Sequence, residues 1–315
     1  MDTLRKVPEL SLLSFVNGSN TDRTRFVDNL FTGLKDYGFI VLVDHTVDEK
    51  VTKKAYELTH EFFQMQKEIK QKYVCSVGGG QRGYTAFGVE HAKNNPFPDL
   101  KEFWHVGRDK LVDEKFRPIF PPNIWPTEIP EFRDTMLSLF NSLDQTAHLM
   151  MDAIGMALDV PQEYFRNMLQ DGNSILRPIH YPPVHKDAPK NSVRAAAHED
   201  INLITVMVGA TTSGLELLDR DGKWLPVRNN EKQLVVDTGD MLQVLTNGVL
   251  PATTHRVVNP DNFNDTRYSM PFFVHPNPDT MLSCIPSCRG TGEKYEPINS
   301  HQWLMQRLAE IGLKK

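Results

Sequence analysis

The sequence predicts a mainly β fold with flanking α: a double-sheet jelly roll core carrying N-terminal helices, a long central helix and a C-terminal helix. Three patterns point there. From Ser174 onward, short β-like runs are separated by turn signals about every 8 to 12 residues, the rhythm of a sandwich or barrel. Apolar residues at spacings of three and four run from Phe132 to Leu158, which describes one long amphipathic helix. Shorter helical patterns lie towards both ends of the chain, where they can cover the outer faces of a β core.

Taken in order, Val7 to Phe15 has room for a short strand. Phe26, Val27, Leu30, Phe31, Leu34 and Tyr37 then define a helix from Thr21 that stops at Gly38. Phe39 to Val43 reads as a strand, and Val51, Ala55, Leu58, Phe62 and Met65 as a second helix. From Ser76 to about Pro130, glycines and prolines interrupt every period, so this stretch is expected to be a long loop. Gly78-x-Gly80-x-x-Gly83 within it has dinucleotide-binding spacing, but Tyr84-Thr-Ala-Phe-Gly88 is not the helix that motif requires. The methionines of the 132–158 helix fall on its apolar stripe and read as core. Strands are expected at 174–181, 193–197, 201–208, 214–218, 223–227, 233–237, 241–245, 253–258 and 267–274, with turns at Asp219-Arg-Asp-Gly222 and Asn247-Gly248. Trp303, Leu304, Leu308 and Ile311 mark a last helix, expected to pack on its own chain, although a neighbouring copy would suit its stripe equally. The expected division is an N-terminal region over 1–130, a support helix over 131–170, a β core over 171–280 and a C-terminal extension over 281–315, all in one structural unit.

Composition narrows the function. With 40% hydrophobic and 24% charged residues, the 315-residue chain buries a sizeable core and is neither low-complexity nor disordered. A net charge of −5, from 35 basic and 40 acidic side chains without long runs of one sign, favours neither nucleic acid nor an anionic membrane. A small-molecule partner is expected instead. Met-Asp-Thr-Leu-Arg-Lys leads into no apolar stretch of signal-peptide length, so a cytoplasmic location is expected. Cys75, Cys284 and Cys288 fit free thiols in a reducing compartment.

The residues that could carry chemistry lie in the β half. His198-Glu199-Asp200 falls where two expected strands meet, and period-two geometry points His198, Asp200 and Asn202 to one face and Glu199 to the other. His255 follows in the strand-like Thr253-Thr-His-Arg-Val257. Two histidines and one carboxylate are the protein ligands of non-haem Fe(II) oxygenases, which keep positions open for substrate and O₂. They would also serve a zinc hydrolase, but Glu199, the obvious general base, then faces the wrong way. Arg267-Tyr268-Ser269 alternates so that guanidinium and hydroxyl share a face, an arrangement that grips a carboxylate. Taken singly, each feature has an ordinary structural explanation: paired core histidines, or a solvated strand. His185-Lys186-Asp187, a second His-x-Asp, lies between Pro183 and Pro189 and reads as a loop.

The combination is specific. His198-x-Asp200, His255 and Arg267-x-Ser269, in this order on β-like segments, resemble the core motif of the 2-oxoglutarate and Fe(II)-dependent oxygenases. Leu176-Arg-Pro-Ile-His-Tyr-Pro-Pro183 and Gly239-Asp-Met-Leu-Gln-Val-Leu-Thr-Asn-Gly248 resemble segments of the isopenicillin N synthase-like branch, as do Gly38-Phe39-Ile-Val-Leu-Val43, Gln81-Arg-Gly-Tyr84 and Asp99-Leu-Lys-Glu-Phe103. The resemblance spans about residues 5 to 280. It implies a double-stranded β-helix, Fe(II) on His198, Asp200 and His255, and 2-oxoglutarate held by Arg267, Ser269 and Tyr181. It also implies oxidation of a small molecule by O₂ with release of succinate and CO₂. Ile179 and His180 stand where the branch has Asn and a first Tyr, and Val184 where a cysteine is common. An oxidase that omits 2-oxoglutarate, like isopenicillin N synthase itself, and a non-catalytic jelly-roll binding protein share the same motif and stay open at this point. Expected substrate-lining residues are Arg82, Tyr84, Phe87, His105, Arg177 and Phe272, with Arg82 and Arg177 together hinting at an anionic substrate.

Overall fold

The computed structural model describes residues 5–75, 80–92, 97–184, 192–260, 262 and 264–310. Its N-terminal part is built by strong local signals. After β1 (Glu9–Ser11) and the short α1 (Leu12–Val16), Ser19 starts α2 (Asn20–Tyr37) with a capping box: its hydroxyl accepts from the Asp22 amide, and the Asp22 carboxylate accepts from the Ser19 amide, both at 3.2 Å. Ser19→Ala should therefore lower stability by about 1 kcal/mol in urea unfolding; an unchanged midpoint would show that the cap contributes nothing.

Gly38 ends α2 in the left-handed region at φ 67°, its amide donating to the Leu34 carbonyl at 2.9 Å. A Cβ at Gly38 would come within 2.0 Å of the Thr253 hydroxyl oxygen, so glycine also lets the end of α2 approach the segment that leads to His255. β2 (Phe39–Val43), α3 (Glu49–Phe63) and the short α4 (Lys67–Gln71) follow.

Most of the strands form two facing layers. The larger sheet contains β3 (Gly83–Thr85), β4 (Glu102–Gly107), β5 (Ile175–Leu176), β6 (Ile179–Tyr181), β8 (Ile204–Val208), β11 (Leu234–Thr238) and β13 (Arg267–Val274). They run in the order β1-β2-β11-β8-β13-β5-β4-β3, with β6 beside β13 and β4. The smaller sheet is β10 (Trp224–Pro226), β9 (Leu215–Leu218), β12 (His255–Val257) and β7 (Ala195–His198), in that order.

Alternation sorts the large sheet's side chains into two cores. Ile40, Leu42, Trp104, Val206, Val236 and Phe272 join α2, α3 and the 26-residue α5 (Phe132–Ala157) in the larger cluster. Phe39, Val41, Phe103, Ile179, Met207 and Val235 meet Ala195, Leu215, Leu217 and Val257 of the small sheet. Burial on both faces explains why Phe39–Val43 is a continuous apolar run and why Ile204–Val208 is apolar at every position but Thr205.

Two expectations are corrected here, and a third, the short strand near the start, is met by β1 and extended. Residues 241–245 are helical, within α7 (Asp240–Leu245), not a strand: a short apolar run fits either state, and Gly239 begins a turn that hands its first amides to the carbonyls of Asp200, Asn202 and Leu203. The 76–130 stretch holds β3 and β4, whose full burial removes the period-two signal. Val7 to Phe15 contains α1 as well as a strand. The second His-x-Asp and the Gly78 end of the glycine motif lie outside the described residues. After α6 (Glu163–Leu169) and the core strands, β14 (Met281–Leu282) pairs with β15 (Ile298–Asn299), and α8 (Ser300–Glu310) packs back on the same chain.

Candidate active site

Register creates the centre of the site. β12 pairs antiparallel with β7 so that His255 stands opposite His198, and the imidazole centroids lie 4.4 Å apart. Each ring is turned by its own backbone: Nδ1 of His198 meets the Ala196 carbonyl at 2.7 Å, and Nδ1 of His255 meets that of Thr253 at 3.1 Å. Nδ1 is therefore the donor in each ring, which turns both Nε2 atoms inward. They converge on Asp200, whose Oδ1 lies 3.6 Å from His198 Nε2 and 3.7 Å from His255 Nε2. One ligand-capable atom from each of the three lies within 4.8 Å of the others, and among the described residues this is the one such group.

Asp200 sits just past the end of β7, and its loop is pinned from outside. Its carbonyl accepts from the Asp240 amide and that of Asn202 from the Met241 amide, both at 2.9 Å, so the start of α7 holds the loop. The second carboxylate oxygen accepts from the Thr205 hydroxyl, which in turn accepts from Asn202 Nδ2 at 2.8 Å. Burial and the neighbouring His198 push the His255 imidazole down to about 4, leaving it neutral at pH 7. Burial raises the Asp200 carboxyl, but the two imidazoles and the Thr205 hydroxyl outweigh it and hold the group below the usual carboxylate range. Two imidazole nitrogens and one carboxylate oxygen match the donor set of a divalent first-row metal with open positions.

Arg267 and Tyr181 are paired across β13 and β6, with the guanidinium 4.9 Å from the phenol centroid. Arg267 is 1% exposed; it donates to Ser269 Oγ at 3.2 Å and to the Thr212 carbonyl at 3.3 Å, with no carboxylate partner among the described residues. Arg194, also buried, stands in its field, and one of its donors, Nε, is unpartnered; burial and the Arg267 charge lower its pKa. Two buried guanidiniums with no carboxylate hydrogen-bonded to either among the described residues make a place for an anion, because an uncompensated buried charge is costly. Sequence reasoning missed Arg194, which lies just before β7; a bulge in the β7–β12 pairing breaks the alternation between it and His198, so strand parity gives no signal for it.

A model described as the non-haem dioxygenase N-terminal region of morphine synthesis matches residues 7–128, and one described as the 2OG-Fe(II) oxygenase superfamily matches 172–276. A 2OG-Fe(II) oxygenase family protein from Caulobacter crescentus is 42% identical, with a TM-score of 0.87 over 99% of this chain and 100% of its own. The chain belongs to the 2OG-Fe(II) oxygenase superfamily. Its N-terminal match is that of the isopenicillin N synthase-like branch. A full-length Neurospora crassa protein, solved in complex with alpha-KG, is 28% identical, with a TM-score of 0.87 over 98% of this chain and 97% of that one. The 2-oxoglutarate-Fe(II) type oxidoreductase hxnY of Emericella nidulans is 28% identical over 302 residues, 92% of this chain and 86% of hxnY. The protein is thus a 2-oxoglutarate-dependent dioxygenase using Fe(II). Among the described residues no helix is long and apolar enough to cross a membrane.

In this oxygenase a cavity of about 380 Å³ opens beside the three-residue cluster. His198 and Asp200 line it, together with His105, Arg177, Phe273 and, from α8, Leu304, Arg307 and Leu308. Asp240 ties α8 to the metal-side loop: its carboxylate accepts from Trp303 Nε1 at 2.9 Å and from Arg307 Nε at 3.1 Å. Burial pushes the Asp240 carboxyl up to about 7 against these bonds.

Of the six residues expected to line a substrate site, His105 and Arg177 line this cavity. Phe272 does not: it is fully buried on the other face of β13, edge-on to Phe140 of α5 at 4.9 Å. The strand period puts Phe273, not Phe272, on the side of Arg267 and Ser269. Tyr84 is a core residue, its hydroxyl donating to Glu102 and its ring packed on Phe62. Arg82 is buried against Gly107, where a side chain would collide with its guanidinium, and Phe87 is half exposed, off the cavity. Glu199 lines the cavity rather than facing away, because β7 ends at His198 and the alternation stops there. His180, in the branch's Tyr position, is a structural residue bonded to Glu102 at 2.8 Å and to Thr266 at 3.1 Å.

Proposed function

We propose that His198, Asp200 and His255 hold the Fe(II) of this oxygenase, that Arg267 and Ser269 grip the distal carboxylate of 2-oxoglutarate beside Tyr181, and that the substrate is a small molecule seated in the 380 Å³ cavity. One observation carries the reading: the β7–β12 register that turns two Nε2 atoms onto a single carboxylate oxygen. We also read the two facing sheets as the double-stranded β-helix, or jelly roll, of the family. On this reading residues 171–280 are the catalytic core, 1–130 and 131–170 its N-terminal and helical supports and 281–315 its C-terminal extension, in one structural unit.

Bound iron and 2-oxoglutarate supply oxidation of a substrate C–H bond by O₂, coupled to decarboxylation of the oxo-acid to succinate and CO₂. The chain's own residues supply position and charge. Thr205 and Asn202 fix the Asp200 carboxylate so that Oδ1 faces the histidines. The Ala196 and Thr253 carbonyls fix both imidazole tautomers. Arg267, desolvated and unopposed by any acid among the described residues, orients a dianionic cosubstrate by one end, and Tyr181 covers the guanidinium face. Ile175, Ile201, Phe273 and the leucines of α8 line the cavity with apolar surface.

Anaerobic addition of Fe(II) and 2-oxoglutarate should produce the weak visible charge-transfer band of the chelate, and His198→Ala should abolish it. Iron binding without the band would overturn the cosubstrate assignment, and a band retained in His198→Ala would overturn the ligand assignment.

A further inference from the structure

The strand that carries His198 lacks support on two counts. β7 is the edge of the small sheet, and among the described residues β12 is its only strand neighbour. Its pairing with β12 is also bulged: Val257 stands opposite Ala195 and His255 opposite His198, so Ala196 and Ala197 together face Arg256. A bulged edge strand bends easily, and a bend at Ala196 reaches the metal centre directly. The Ala196 carbonyl accepts from His198 Nδ1 at 2.7 Å and so aims the ring.

A side chain from outside the sheet supplies the support. Asp99, three residues before β4, is 3% exposed, and its Oδ1 accepts from the Ala196 amide at 3.0 Å. Ala196 is thus held on both sides, its amide by Asp99 and its carbonyl by His198. The segment that presents Asp99 is fixed in turn: the Asp99 amide donates to the Glu90 carbonyl and the Leu100 amide to the Val193 carbonyl, both at 3.0 Å.

The carboxylate is also anchored by charge. Asp99 Oδ2 lies 2.9 Å from Lys101 Nζ, and the same ammonium lies 2.7 Å from Glu90, whose Oε1 is 3.4 Å from Arg177. Burial lowers the pKa of the Lys101 ammonium, but the Glu90 and Asp99 carboxylates outweigh it and hold it above its ordinary range. With one oxygen committed to Lys101 and the other to the Ala196 amide, Asp99 cannot swing away without giving up a buried ion pair.

We propose that Asp99 is a positioning residue for the iron site: by accepting from the Ala196 amide it stands in for the strand that β7 lacks and fixes the carbonyl that aims His198 towards Asp200 and His255. It acts through Ala196 and is not itself a ligand. The assignment rests on the reading of His198 as an iron ligand. A carboxylate kept only for its ion pair with Lys101 would need its charge, whereas one kept for the Ala196 amide needs only an acceptor. Asp99→Asn and Asp99→Leu separate these roles, because both remove the charge at nearly constant size and only asparagine keeps the acceptor.

The test uses the whole chain, titrated anaerobically with Fe(II) and then with 2-oxoglutarate, below the unfolding temperature of each variant. Asp99→Leu should weaken Fe(II) binding about tenfold or more and displace the chelate band. Asp99→Asn should bind Fe(II) within about threefold of the unaltered chain and keep the band in place, because the acceptor survives. A measurement that needs no variant accompanies these: in the unaltered, metal-free chain the Ala196 amide should exchange with deuterium about a hundredfold or more slower than in the unfolded chain. A leucine variant that unfolds earlier yet binds iron as tightly, with the same band, would overturn the assignment. So would an asparagine variant as weak as the leucine one, or an unprotected Ala196 amide. Because the exchange measurement uses the unaltered protein, it decides the case even if the leucine variant does not fold. Undiminished Fe(II) binding by His198→Ala would instead overturn the ligand reading, and the role of Asp99 with it.

Discussion

Asp200→Asn is expected to lower Fe(II) affinity and succinate release by about two to four orders of magnitude. The substitution keeps the shape of the side chain and its link to Thr205, so the loop pinned by α7 should stay in place. What it removes is the anionic charge on which both Nε2 atoms converge. Losing one partner from a buried charged arrangement costs about 3–5 kcal/mol, and each 1.4 kcal/mol is about a factor of ten. Fe(II) titration of the purified variant checks this. A variant binding iron as tightly as the unaltered chain would show that Asp200 is a structural carboxylate and that the metal lies elsewhere.

Arg267→Ala is expected to weaken 2-oxoglutarate binding by about ten- to a hundredfold while leaving Fe(II) affinity unchanged. A hydrogen-bonded interaction with a charged group is worth about 1.5–3 kcal/mol, and Arg267 is desolvated, without an acid partner among the described residues. Arg267→Lys should recover only part of the loss, because an ammonium cannot reproduce the planar fork beside Ser269. Titration of the iron-loaded variant with 2-oxoglutarate is the measurement, and unchanged affinity would remove Arg267 from the clamp.

The centre of the site was legible in the sequence because its parts are short-range. His198 and Asp200 are two residues apart, and a single strand pairing brings His255 opposite His198. Strand parity was equally readable at Arg267 and Ser269, and the same rule gives Phe273 on their face and Phe272 in the helix-side core. The substrate side was not legible for a different reason. Glu90 belongs to no helix or strand, and α8 reaches the cavity from more than 100 residues beyond His198; neither position has a period that encodes what it touches. β4 was hidden because burial on both faces erases alternation. Residues 241–245 misled because an apolar run of that length is compatible with strand and helix alike, and only the hydrogen bonds from α7 to the Asp200 loop decide it.

The link through Asp240 divides the protein into parts that can change at different rates. The reactive centre is built into paired strands whose register few substitutions could preserve, whereas Leu304 and Leu308 belong to an 11-residue helix laid against the cavity from outside. If the cavity seats the substrate as proposed, exchanging those leucines reshapes what fits without touching the strands, so the range of molecules accepted can drift while the oxidation itself stays constant. Asp240 sets the boundary of that freedom: its carboxylate belongs to the exchangeable wall and its amide to the Asp200 loop, so a change there alters both at once.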